Sequence, residues 1–89
     1  MIAVIASFTD DPARLELRPR HRELLAELHE QGLVVAAGPF GDQSGSLVLF
    51  ATDDVAEVKA ALARDPYYQA PGVTIEKIQP WSIIAGSVG

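Results

Sequence analysis

His21 is one of two histidines in this 89-residue chain, and its position is unusual. In "RPRHRELLAELHEQG" (Arg18 to Gly32), Leu17, His21, Leu24 and Leu28 share the spacing of one helical face. An imidazole in an apolar stripe has two uses. It is a core histidine satisfied by a carboxylate or a backbone carbonyl, or it is a general base whose tautomer a partner holds. A candidate partner stands at Asp65. Val55, Val58 and Leu62 form the apolar stripe of a second helix, and Asp65 extends that stripe by three residues. Asp65 before Pro66 also reads simply as a helix stop. His29, beside Glu30 on the polar face, reads as solvated.

Other residues carry a similar choice. Arg18 either pairs with a nearby carboxylate or offers its planar fork to a substrate's oxygens. Ser46 is a strand-start hydroxyl or a hydrogen bond to a ligand. Gly38, Pro39 and Phe40 are a strand end or one wall of a pocket, and Tyr67 is rim packing or another wall. One internal histidine with one aspartate is too few for a metal set. "GPFGDQSGS" lacks the lysine and the following helix of a phosphate-binding loop. With no cysteine there is no disulfide, thiolate nucleophile or cysteine-based metal site.

The elements that must position these groups follow from periodicity. Ile2 to Phe8 reads as a buried strand. "TDDPARLEL" reads as a turn with a helical turn at most. The boundary at Arg18-Pro19 predicts a main helix over Pro19 to Gln31, capped by Gly32, which puts His21 in its first turn. "LVVAAGPF" is the second strand and "SLVLFAT" the third. "DDVAEVKAALARD" is the second helix, with Asp53 or Asp54 as N-cap. "YYQAPG" is a loop. "VTIEKIQPW" is the last strand, with Val73, Ile75 and Lys77 alternating on one face. The order β-α-β-β-α-β predicts an α+β, ferredoxin-like antiparallel sheet with both helices on one face. In that topology His21, Arg18, the Gly38–Phe40 strand end, Ser46, Asp65 and Tyr67 reach one end of the molecule, and Trp81 goes to the other.

Composition narrows the partners. The net charge is −5, and the arginines cluster only at Arg14, Arg18, Arg20 and Arg22, among Glu16 and Glu23. Nucleic acid and anionic membranes need a basic stripe and are excluded as expected partners; four local arginines suit one small anion. The apolar fraction is 48%, large for a chain with so thin a core. A homodimer covering the free sheet face is therefore expected, with the apolar tail "IIAGSVG" packing on the partner. The opening "MIAVIASFTDD" lacks a basic n-region, and its apolar run is short for a signal or membrane helix, so a cytoplasmic chain of one domain, residues 1–89, is expected.

Together, "RPRHRELLAELHEQGLVVAAGPF", "SGSLVLF", "DPYYQAPGV" and "IQPW" resemble the YCII-related (YciI-like) family over nearly the whole chain. The markers are Arg18 and His21, Gly38-Pro39, Gly45-Ser46 and Asp65-Pro66-Tyr67. The resemblance implies a ferredoxin-like fold that dimerises through its sheets as an α/β barrel, like relatives of muconolactone isomerase. It implies a cofactor-free His–Asp site, carried onto His21 and Asp65, with Arg18, Ser46 and Tyr67 at the arginine, serine and aromatic positions. A chlorinated hydroxyquinol dehydrochlorination is associated with the family. That implies proton-transfer-coupled elimination or isomerisation on a small hydroxylated cyclic compound; the other reading is a non-catalytic binding or regulatory module. The Phe40–Gly45 loop is shorter here than in many relatives, and "QAPGV" replaces a more usual small-residue run, so the substrate does not transfer.

Overall fold

The computed structural model describes residues 1–88. Its elements run β1 (Ile2–Phe8), α1 (Ala13–Glu30), β2 (Val34–Pro39), β3 (Gly45–Phe50), α2 (Val55–Ala63), a 3-10 turn (Pro66–Gln69) and β4 (Val73–Pro80). The four strands form one sheet in the order β2-β3-β1-β4, and every pair is antiparallel. This is the ferredoxin-like α+β arrangement.

Strand alternation separates two faces. Ile2, Val4 and Ala6 of β1, with Val48 and Phe50 of β3, join Val58, Ala61 and Leu62 of α2 in one buried core, with Leu25 and Leu28 of α1 packed against it. Ala3, Ile5, Leu47 and Leu49 alternate onto the other face. There Leu47 and Leu49 line a shallow depression with Ala36, Gly38 and Phe40.

Three local expectations are corrected. First, α1 begins at Ala13, six residues before Pro19, so His21 lies mid-helix and not in the first turn. Asp11 and Pro12 open the helix. Asp11 Oδ1 accepts from the Ala13 N–H at 2.9 Å, and a proline there forgoes a donor that an N-terminus does not use. Pro19 then sits inside the helix, where its missing N–H costs a bond to the Leu15 carbonyl. Both residues are exposed, so the break lies on the solvated side. Second, β4 does not alternate through Lys77. Ala6 opposes Ile75 but Ile5 opposes Lys77, which leaves Glu76 as the extra residue of a bulge. The bulge shifts the phase, so Ile78 packs on the core and Lys77 is exposed. Third, His29 is not merely solvated. Its Nδ1 lies 2.9 Å from the Val34 carbonyl oxygen and ties the end of α1 to β2.

The expected ends of α1 and α2 are otherwise present. Gly32 (φ +81°) takes the left-handed position after α1, and the Leu33 N–H bonds the Leu28 carbonyl at 2.9 Å. Asp54 is the α2 cap, accepting from the Ala56 N–H at 2.9 Å. In the tail, Ile84 is 95% exposed, and Gly89 lies outside the described residues. Among the described residues no helix is long and apolar enough to cross a membrane.

Candidate active site

The site begins with "RDPYY". Pro66 keeps Asp65 out of helical geometry, and Asp65 adopts φ −102°, ψ 111° after α2. From that position its Oδ1 accepts the Tyr67 N–H at 3.0 Å and opens the 3-10 turn. Its Oδ2 lies 2.6 Å from His21 Nδ1. Both oxygens are used, so the carboxylate is fixed from two directions. The pair is buried, with Asp65 4% and His21 7% exposed.

An ionised carboxylate only accepts, so Nδ1 donates in this contact, and in the neutral imidazole the lone pair then falls on Nε2. Aromatic packing sets the ring plane. The Tyr67 ring stacks on the imidazole, with centroids 4.0 Å apart and planes 10° apart. The Tyr68 ring meets it edge-on at 5.4 Å. Phe8 in turn meets Tyr67 edge-on at 5.7 Å. Burial, reinforced by the Asp65 charge and by Tyr67, pushes the Tyr68 hydroxyl well above the usual tyrosine range. That hydroxyl is sealed from solvent with no hydrogen-bond partner among the described residues.

His21 lines a cleft of about 120 Å³ between α1 and the β2–β3 end of the sheet. Arg18, Gly38, Pro39, Ser46 and Tyr67 line the same cleft. Asp65 stands behind the imidazole and lines a separate cavity of about 300 Å³ between α1 and α2. The imidazole–carboxylate pair thus stands between the two cavities, His21 lining the smaller and Asp65 the larger. Phe40 is the exception among the expected site residues. It is 39% exposed and borders the depression on the far face of the sheet, not the His21 cleft. Phe40 follows the last residue of β2, and Gly38 and Pro39 before it border both the cleft and the depression. Gly45 is required by close approach: an added Cβ would collide with the Ala6 carbonyl oxygen, and this contact seats Ser46 beside β1.

The structure adds residues to the cleft beyond the expected site; of the four arginines suited to one small anion, Arg14 and Arg22 join Arg18 there. Arg14 is 8% exposed; its Nη1 donates to the Tyr67 hydroxyl at 3.2 Å, and its guanidinium carbon stands 4.4 Å over the Phe8 ring. Phe8, Arg22 and Gln43 also reach it. The signal for Arg14 was present. Arg14, Arg18, His21 and Leu25 recur at i, i+4, i+7 and i+11, one continuous helical face. Reading Pro19 as a boundary cut that face in two. Among the described residues no group of three or more His, Cys, Asp or Glu is placed to hold a metal ion.

A ferredoxin-like sheet whose helices bring an imidazole and a carboxylate together beside a small arginine-rich cleft defines a class of small α+β domain. Within that class, the family model of the YCII-related domain matches residues 1–82, and the chain belongs to that family. Comparison with curated proteins gives no match.

Proposed function

We propose that the His21 cleft is a cofactor-independent active site for proton transfer on a small hydroxylated cyclic compound. The observation that carries the reading is the 2.6 Å contact between Asp65 Oδ2 and Nδ1 of a buried imidazole that lines the cleft. His21 Nε2 removes a proton from the substrate. The released electron pair forms the new double bond as a leaving group departs with its own pair, or as the double bond relocates and the proton returns at another carbon. Asp65 stabilises the imidazolium and holds its tautomer, as buried carboxylates do for catalytic histidines. Arg18 and Ser46 hold substrate oxygens, Tyr67 fixes the imidazole plane, and Gly38-Pro39 form the wall. A second copy of the chain covers the apolar face of Ile5, Leu47 and Leu49 in the family's sheet-to-sheet manner, which brings Phe40 into the interface. A cytoplasmic setting accords with a cysteine-free chain of this kind.

The test is turnover of chlorinated hydroxyquinols and small lactones by the wild type and by His21→Ala. Turnover that His21→Ala abolishes while the fold is retained is the expected result. A ligand that binds both proteins equally, with no turnover by either, would overturn the catalytic reading in favour of a metabolite-sensing module.

A further inference from the structure

The side chain with the most unmet bonding capacity in the cleft is Arg14. A guanidinium has five N–H donors and is always charged. Here it is 8% exposed, yet no Asp or Glu oxygen among the described residues lies within ion-pair distance. Nη1 donates to Tyr67, Nε is sealed from solvent without a partner, and Nη2 makes no hydrogen bond to the described residues. The Phe8 face compensates only part of the charge. Burying a cation without a counter-charge is unfavourable, and proteins ordinarily pair it.

Two more groups in the cleft have bonding capacity left over. The Tyr67 oxygen accepts from Arg14, so its own O–H remains to donate. Ser46 is 7% exposed, and its hydroxyl has no protein partner among the described residues. Arg18 and Arg22 stand at the same cleft, and among the described residues no carboxylate lines it. Three of the chain's seven Lys and Arg residues therefore face one small cavity in a molecule of net charge −5. Arg20, on the outer side of the same helix, is instead engaged by Glu23 and Glu27.

We infer that the ligand of this cleft is a small carboxylate, and that Arg14 is its buried counter-charge. The carboxylate group takes Arg14 Nη2–H and the Tyr67 O–H, two donors already joined to one another. Its compact body lies toward Ser46 and His21 Nε2. A carboxylate is planar and matches the guanidinium fork, and Phe8 and the Tyr67 ring favour a flat, apolar body. The volume of about 120 Å³ limits that body to a small one, well under the roughly 300–1,000 Å³ of pockets for drug-sized ligands. This inference rests on the reading of the His21 cleft as the ligand site, and it narrows the substrate class from hydroxylated rings to those bearing a carboxylate.

The experiment is titration of the wild-type protein with benzoate, benzamide and inorganic phosphate, followed by amide chemical shifts. Arg14→Gln, Arg14→Lys and Tyr67→Phe are titrated with benzoate. Benzoate is expected to bind at least tenfold more tightly than benzamide, with the largest shifts at Ser46, His21 and Tyr67. Arg14→Gln is expected to lose that preference, and Arg14→Lys to keep part of it. Tyr67→Phe is expected to weaken benzoate severalfold. Equal binding of benzoate and benzamide, absence of benzoate binding, or tighter binding of phosphate would overturn the inference from wild-type data alone, even if a variant fails to fold. An undiminished preference in folded Arg14→Gln would overturn it as well. The outcome separates from the catalytic reading: benzoate selectivity without turnover of the carboxylate-bearing counterparts of those hydroxyquinols and lactones sinks the proton-transfer chemistry only, whereas turnover of an uncharged phenol with no benzoate binding sinks this inference only.

Discussion

Asp65→Asn isolates what the carboxylate does, because it keeps the size of the side chain and removes one acceptor. Asp65 accepts twice, from His21 Nδ1–H at 2.6 Å and from the Tyr67 N–H at 3.0 Å. An asparagine has one acceptor oxygen and one NH2 donor. With its oxygen toward Tyr67, the NH2 points at His21 Nδ1, which must then accept, and the imidazole proton moves to Nε2. With its oxygen toward His21, the NH2 opposes the Tyr67 N–H and the cap is lost. The first arrangement should win, since a backbone N–H cannot reverse its polarity and an imidazole can change tautomer. Exchanging a charge-assisted hydrogen bond, worth about 1.5–3 kcal/mol, for a neutral one, worth about 0.5–1.5 kcal/mol, costs about 1–1.5 kcal/mol. At roughly 4–8 °C per kcal/mol for a domain of this size, the melting temperature should fall by about 4–12 °C. The assay needs no substrate. Long-range proton–nitrogen NMR correlations of the neutral His21 ring should place the proton on Nδ1 in the wild type and on Nε2 in the variant. For a substrate that is turned over, loss of the base should cost about 10²–10⁴ in kcat/KM. A wild-type proton on Nε2, or a variant with unchanged tautomer and unchanged melting temperature, would refute the reasoning.

Other perturbations probe the frame around the pair. Pro19→Ala restores a helical bond to the Leu15 carbonyl; after allowing for the freer unfolded chain it should stabilise the protein by about 1–2 kcal/mol in urea unfolding, and destabilisation would mean that α1 does not run through residue 19. Gly45→Ala forces a Cβ into the Ala6 carbonyl and should lower stability by at least about 2 kcal/mol, seen as an earlier denaturation midpoint. Tyr68→Phe removes a buried hydroxyl with no partner and should stabilise by about 1 kcal/mol near neutral pH. Because the folded state holds the Tyr68 pKa above its ordinary value of 10.0, the unfolded chain ionises first. The Tyr68 contribution is thus complete below pH 10 and declines as pH rises beyond it, so wild-type melting temperature should drop more steeply above pH 10 than that of Tyr68→Phe. Leu47→Lys places a charge on the open sheet face; light scattering should give a dimer for the wild type and a monomer for the variant, and a monomeric wild type would refute the sheet-to-sheet proposal.

The element order and fold class were legible because they rest on local patterns. β-Branched runs at Ile2–Phe8 and Val34–Pro39, the Gly32 stop and the Asp54 cap each act within a few residues. Asp65-Pro66 was legible for the same reason: proline restricts its neighbour whatever the rest of the chain does. The pairing of His21 with Asp65 was inferable once topology brought two helix stripes to one end. The two misjudged elements also have physical causes. Pro19 is tolerated inside α1 because Asp11-Pro12 had already opened the helix and the interruption lies on the exposed side. The Glu76 bulge depends on how β4 meets β1, which no alternation within β4 itself reports.

Sequence alone therefore determined the order of the helices and strands, and it singled out His21 and Asp65 as a candidate pair. It did so because helical and strand periodicity, caps and proline constraints act over a few residues. Tertiary structure decided which face of α1 fronts the cleft, that Phe40 turns away from it, and that Arg14 is buried there without a carboxylate. Those outcomes depend on the distance between groups far apart in the chain, here Phe8, Arg14 and Tyr67, which only the closed sheet and its packed helices define.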